Sequence, residues 1–242
     1  MIALDSAPPE LSIIIPVLNE GLSITTCLHH LQRVAADFTY EVIVVDGDPE
    51  GSTVQHLPAE ARGIIAPAGR GSQMNAGAKI AQASTLLFLH ADTLLPDQAF
   101  TQIQKVLQQA PAGAFDLGID SSRPSLQWIG HLASWRSRLT RIPYGDQAIF
   151  IYRSTFMKMG GFPNIPIMED VALMQALKRH HLPIWIVRDR VLVSPRRWEQ
   201  EGIIACTLRN WLILSLYYLG VSPNRLWRWY RPQQPSESRR KT

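Results

Sequence analysis

LSIIIPV, residues Leu11–Val17, is apolar at odd and even positions alike, apart from Ser12. A strand with one wet face would alternate; this one has no polar face. It therefore reads as a strand covered on both sides, as at the centre of a parallel sheet. Pro16 closes the run. Asn19 follows as a helix N-cap, with a helix expected through about Ala36. EVIVV (Glu41–Val45) is a second buried strand, ending at Asp46, and Gly63–Ala66 is a short third. A helix from about Ser72 to Ala83 leads into TLLFL (Thr85–Leu89). Pro96 suits the first turn of a further helix reaching about Gln109. Strands alternating with helices, each strand followed by a short turn, predict a doubly wound, mostly parallel, Rossmann-like α/β sheet.

Beyond residue 110 the alternation loosens. Gly113–Ile119 reads as a strand, Leu126–Leu139 as a helix rich in Trp and Arg, and Gln147–Ile151 as a strand. Met168–His180 is a helix, and Pro183–Val187 and Val191–Ser194 are short strands. No internal repeat is present. The expected division is an α/β domain over 10–200, an apolar and then aromatic-basic helical extension over 201–232, and a disordered tail over 233–242, rich in Pro, Gln, Ser and Arg.

Hydrophobic residues make up 46% of the 242 and charged residues 18%. That composition supports a packed core and excludes a globally disordered chain. The net charge of +4 is unevenly placed: Ile203–Thr242 holds seven Arg or Lys against one acid, Glu237, which leaves the remainder slightly acidic. A nucleic-acid binder carries its positive charge on the folded domain. Here it belongs to the C-terminal end, which points to anionic lipid or an acidic partner and away from nucleic acid. Cys27 and Cys206 have no metal-ligand spacing and read as reduced, buried thiols. Met1–Glu10 lacks a basic n-region and a long apolar stretch, so no signal peptide is read and a cytoplasmic location is expected.

In open α/β sheets, ligands bind outside the carboxyl ends of the strands. PVLNE (Pro16–Glu20), VDGDPEGST (Val45–Thr53) and LHADTLLP (Leu89–Pro96) place Asn19, Glu20, Asp46, His90 and Asp92 there. A carboxylate at a strand end followed by glycine, as in Asp46-Gly47, suits a base or ribose approached closely by backbone. Asp92 is placed to hold a divalent metal bridging a diphosphate. Capping of turns and helices is the alternative for each acid taken alone. Glu169 and Asp170 open a helix, where the dipole favours a carboxylate; one can cap while the other acts as a base. Tyr144, Asp146 and Gln147, in PYGDQ, either line a donor-sugar or acceptor pocket or form a Gly-containing turn. In Arg196-Arg197-Trp198, the guanidinium fork suits pyrophosphate and the indole offers a stacking face to a sugar; a solvated basic turn is the alternative.

These residues resemble glycosyltransferase family 2, whose members share the GT-A fold. The run GRGSQMNAGA (Gly69–Ala78), with HADT (His90–Thr93), PYGDQAIF (Pro143–Phe150) and MED (Met168–Asp170), is similar to the subgroup labelled radical-SAM/selenodomain-associated transferase 2. The resemblance covers roughly residues 10–200 and implies a GT-A domain with a C-terminal helical extension. It implies transfer of a sugar from a nucleotide-sugar donor, UDP-linked, to an acceptor hydroxyl with inversion, with Mn2+ or Mg2+ as cofactor. Asp46 resembles the acid that reads the nucleobase, Asp92 the metal-binding member of D-x-D, and Asp170 the general base. Pro16, Asn19 and Glu20 resemble the first nucleotide-contacting loop. Arg70 and Asn75 are expected near the phosphates or ribose. Arg197 and Trp198 match the family's C-terminal R-W element. The chain departs from the pattern twice: His90 stands where many members have Asp, and Asp48 and Pro49 replace the commoner Gly-Gly-Ser.

Gly202–Asn224 has a single charge, Arg209, and an apolar core WLILSLYYLGV (Trp211–Val221) too short for a spanning helix. RLWRWYRP (Arg225–Pro232) follows with crowded Trp, Tyr and Arg. Peripheral contact with the inner face of a membrane, and with it a lipid-linked acceptor, is one reading; a helix packed on the domain is the other. A second copy of the chain is also a candidate partner. Two alternatives to sugar transfer are a nucleotidyltransferase, for which PVLNEG lacks a Gly-rich, Lys-containing signature, and a non-catalytic nucleotide-sugar-binding protein.

Overall fold

The computed structural model describes residues 8–35 and 38–230. The tail over 233–242 and the expected helix end at Ala36 lie outside the described residues.

Eight strands form one mixed sheet in the order β3-β2-β1-β4-β7-β6-β8-β5. The strands are β1 (Leu11–Val17), β2 (Tyr40–Asp46), β3 (Ala61–Ile65), β4 (Thr85–Phe88), β5 (Thr93–Leu94), β6 (Ala112–Ile119), β7 (Phe150–Tyr152) and β8 (Ile184–Val193). The helices are α1 (Gly21–Val34), α2 (Arg70–Ile80), α3 (Ala99–Leu107), α4 (Pro124–Thr140), α5 (Arg153–Lys158), α6 (Glu169–Arg179), α7 (Arg196–Glu201), α8 (Ile203–Tyr218) and α9 (Pro223–Tyr230).

β1 lies between β2 and β4 and pairs parallel with both. Its side chains alternate between two cores. Ile13, Ile15 and Val17 join the layer under α1 and α3, and Ile14 joins Ile43, Val45 and Phe88 under α2 and α6. Gly77 lets α2 lie against the sheet, since a methyl there would fall 2.5 Å from Ile14. β2 and β3 extend the sheet on one side of β1 and β4 begins the other, so the order reverses between β1 and β4. Pairing of β4 stops at Ile14↔Phe88, with one further bond from the Leu89 amide to the Ile14 carbonyl (3.0 Å). Beyond it comes Pro16, which has no amide to offer, and the strands part. That opening is the topological switch point, where such sheets bind ligands.

The second half is less parallel than the alternation predicts. β7 runs antiparallel to both β4 and β6, and β5 runs antiparallel to β8. A short return strand needs no crossover helix, so no helical spacing announces it. The two strands expected over 183–194 are one ten-residue strand, with a bulge opposite Phe115/Asp116. Gln147 sits in a 3-10 turn and the strand begins only at Phe150. Asn19 does not cap α1. Its φ is 57°, its side chain accepts a bond from the Ser52 hydroxyl (3.1 Å), and Glu20 occupies the N-cap position.

The C-terminal helices pack on the domain. Ile213 and Leu226 are buried with Ile167, and Leu214 and Tyr217 rest on the core beneath α6. Among the described residues no helix is long and apolar enough to cross a membrane.

Candidate active site

Three segments converge at the switch point. The end of β1 supplies Glu20, which lies beside Asp92 from the turn after β4. The Thr93↔Val193 pairing, with the Ser194 amide bonding the Asp92 carbonyl (3.2 Å), draws the segment after β8 to the same place. Arg196, the first residue of α7, follows directly. Its Nη2 is 3.0 Å from Glu20 Oε1 and 4.0 Å from Asp92 Oδ2. Burial and Glu20 raise the Asp92 pKa, while Arg196 and Arg70 hold it back.

The opposite wall is built on α6. Met168, at φ 68°, turns the chain so that Glu169 and Asp170 form the first helical turn. A left-handed non-glycine residue costs of order 1–3 kcal/mol and persists only where the surroundings impose it. Asp170 accepts amides from Gly145 on Oδ2 (2.5 Å) and Val171 on Oδ1 (2.7 Å). Burial nevertheless raises its pKa, against those two bonds and the charges of Arg70 and Arg136. Glu169 is buried and its pKa is raised to about 7, first by burial and then by Asp170. Asp146 is raised to about 6 by burial and Asp170, and its Oδ1 is enclosed without a hydrogen-bond partner. Burial and Arg70 lower His90 to about 3, so the imidazole is neutral. A methyl at Gly145 would lie 3.4 Å from both Asp170 Oδ2 and His90 Nε2, so both groups border the Gly145 backbone.

Several expected residues make bonds to the scaffold. Asp46 is fully buried, and its carboxylate accepts amides from Asp48 (2.9 Å), Thr53 (2.8 Å) and Val54 (3.3 Å). It shapes the loop after β2, with one bond on Oδ1 and two on Oδ2. Asn75 was expected near phosphate or ribose. Its amide clasps the Phe162 backbone, donating to the carbonyl (2.8 Å) and accepting from the amide (2.9 Å). Gly161, at φ 74°, is required beside it, since a methyl there would fall 2.5 Å from Asn75 Oδ1. Gln147 holds the scaffold together. It is buried, donates to the Phe115 carbonyl (2.8 Å) and accepts from Ser137 (2.7 Å) and the Tyr144 amide (3.0 Å). Arg197 is engaged by the Tyr230 hydroxyl and Glu201, and Trp198 packs on the core under α1 and α3. Of Arg196-Arg197-Trp198, it is Arg196 that reaches the acids. Pro16 marks the strand opening, and Arg70, at the start of α2, has Glu169, Asp170 and Asp146 among its electrostatic neighbours.

Some contributors carried no separate signal. Gln73, buried within the Gly69–Ala78 run, donates to the carbonyls of Val17 (2.7 Å) and Val45 (2.8 Å) and so ties the ends of β1 and β2 to α2. The Arg136 guanidinium stacks 3.6 Å from the Tyr144 ring centre. Tyr217 and Tyr218 of α8 and Tyr230 of α9 are electrostatic neighbours of Asp170, Tyr144 and Arg70 in turn, so α8 and α9 lie beside this wall.

Among the described residues no three of His, Cys, Asp and Glu converge into a metal cage. Asp92, with Glu20 beside it, fits the other way a hard cation is held, by one or two carboxylates together with phosphate oxygens and water. Cys27 and Cys206 are free and buried.

Comparisons with known proteins agree with this architecture. The profile described as Glycosyl transferase family 2 matches residues 12–163. The 1–349 portion of TarS from S. aureus superposes with a TM-score of 0.58 at 17% identity, covering 77% of this chain and 61% of that one. Its complex with UDP-GlcNAc gives 0.57 at 17%, covering 76% and 58%. The mannosyltransferase PcManGT from Pyrobaculum calidifontis, in complex with GDP-Man and Mn2+, gives 0.58 at 21%, covering 78% and 59%. The chain spans about three fifths of the length of these structures. No curated protein sequence matches significantly. The fold is GT-A. With the family profile covering more than half of its residues, the chain belongs to glycosyl transferase family 2.

Proposed function

We propose that the protein transfers a sugar from a nucleotide-sugar donor, UDP-linked, to an acceptor hydroxyl with inversion. The observation that carries this reading is the pairing of two walls across the switch point. One is an acid pair bridged by an arginine (Glu20, Asp92, Arg196). The other is a helix-start carboxylate held by two amides (Asp170).

The donor diphosphate belongs on the Asp92 side. Arg196 and Arg70 can turn to its oxygens, and charge-assisted bonds from a guanidinium fork are the strong kind. Asp92 would hold a divalent cation, Mn2+ or Mg2+ in our reading, which would supply further neutralisation of the leaving group. Asp170 takes the proton from the acceptor hydroxyl, whose oxygen bonds to the anomeric carbon as the bond to the β-phosphate oxygen breaks. The electron pair leaves with the nucleoside diphosphate. Burial of Asp170 makes it a better base, and the Gly145 and Val171 amides fix its orientation. We read His90 as a donor-side contact and Asp146 as part of the donor-sugar or acceptor pocket. The side walled by α8 and α9 receives the acceptor, which we take to be lipid-linked or otherwise apolar and met at a membrane surface.

The test is a thermal-shift panel of uridine, guanosine, adenosine and thymidine diphosphates and their sugar conjugates, with and without Mn2+. Stabilisation by a nucleoside diphosphate series, UDP foremost, is expected. No shift from any of them contradicts the reading.

A further inference from the structure

Helix α8 and its neighbour α4 carry an apolar surface that the catalytic reading leaves unexplained. On α4, Trp128, Leu132, Trp135 and Leu139 follow one helical face and all are exposed, Trp128 at 69% and Trp135 at 62%. On α8, Ile204, Leu208, Trp211, Leu212 and Tyr218 do the same, Trp211 at 61%. Single exposed apolar residues are ordinary; two stripes on helices that touch each other mark an interaction surface. α4, α8 and α9 together contain five arginines and no Asp or Glu. Arg123 and Arg141 flank α4, Arg225 and Arg228 lie on α9, and all four are exposed.

We propose that these two stripes are one docking face for an anionic lipid surface, entered in the plane of the headgroups. Three observations select this occupant. Trp and Tyr among arginines match the amphipathic zone between acyl chains and headgroups. A second copy meeting the same face would set arginine against arginine with no acid to answer it. Residues 231–242, RPQQPSESRRKT, contain no aliphatic or aromatic side chain beyond proline, so this part of the chain cannot cover the stripes by apolar contact. The face adjoins the site: Tyr218 is exposed and interacts with Tyr144, and its neighbour Tyr217 interacts with Asp170. The proposal rests on the glycosyltransferase reading in one respect, since it names the surface from which that reaction's acceptor is met.

The test is sedimentation of the full chain with vesicles of pure phosphatidylcholine and of phosphatidylcholine mixed with phosphatidylglycerol. Two double variants are compared, Trp128→Ser with Trp135→Ser, and Trp211→Ser with Leu212→Ser. All four positions are exposed, and thermal melts check that both variants fold. Binding to the anionic vesicles, with each double variant weaker by about tenfold or more, is expected for loss of two inserted side chains. Absence of vesicle binding overturns the proposal. So does loss in the α8 variant alone, or a dimer seen by analytical ultracentrifugation that the variants dissolve. Nucleoside diphosphate binding, measured separately without lipid, reports on the catalytic reading independently of these outcomes.

Discussion

Arg196→Gln isolates the residue that the structure places on Glu20 and Asp92. Its guanidinium lies 3.0 Å from Glu20 and 4.0 Å from Asp92, with half of its side chain exposed. Exposed pairs of this kind contribute about 0.2–1 kcal/mol to stability, so the variant should melt close to wild type. Binding is different. A charge-assisted bond to phosphate is worth about 1.5–3 kcal/mol, which is roughly one to two orders of magnitude in affinity. The loss is reinforced locally. Arg196 lowers the pKa of Asp92, and without it Glu20 and Asp92 face an incoming anion with no shared cation. Calorimetry with UDP in the absence of metal should show the full loss, and saturating Mn2+ should restore part of it. Arg196→Lys, which keeps the charge but not the fork, should fall between. Metal-free affinity within twofold of wild type would refute the reasoning.

Three further outcomes are expected. Asp92→Ala should abolish the Mn2+-dependent part of nucleoside diphosphate affinity in calorimetry, and an unchanged Mn2+ effect removes the metal role. Asn75→Ala leaves the Phe162 amide and carbonyl without the partners they have at 2.8–2.9 Å. It should cost about 2–4 kcal/mol in urea denaturation, and a loss below about 0.5 kcal/mol would contradict the clasp. Asp146, raised to about 6 by burial and Asp170, binds its proton more tightly folded than unfolded. Its contribution to stability is therefore greatest at acid pH and declines as pH rises from about 4 to about 6. Asp146→Asn should flatten the fall in unfolding free energy over that window, by of order 1–3 kcal/mol; parallel wild-type and variant profiles would contradict it.

The first half of the fold was legible because buried parallel strands are long enough to interrupt the helical period, as LSIIIPV and EVIVV do. β5 and β7, of two and three residues, lie below what periodicity resolves. At the site, strand ends were legible and side-chain direction was not. Asp46 and Asn75 look like ligands in the sequence, because a polar residue beside glycine is equally suited to a ligand and to an orphan backbone amide. Both turned to the backbone. Arg196 and Arg197 differ only in which way a helix start points them, and that is set by the β5–β8 pairing, a contact between residues a hundred apart. The approach of Tyr217 and Tyr218 to the site depends on α8 docking, for which an apolar run carries no direction.

Asp170→Asn tests the central claim most directly, because a base on the acceptor is needed for turnover and not for donor binding. The substitution keeps the size and removes the ionised oxygen. With the donor found by the nucleotide panel, kcat should fall by roughly two or more orders of magnitude while the nucleoside diphosphate Kd stays within about threefold. Turnover like that of the wild type in the Asn variant would contradict the account.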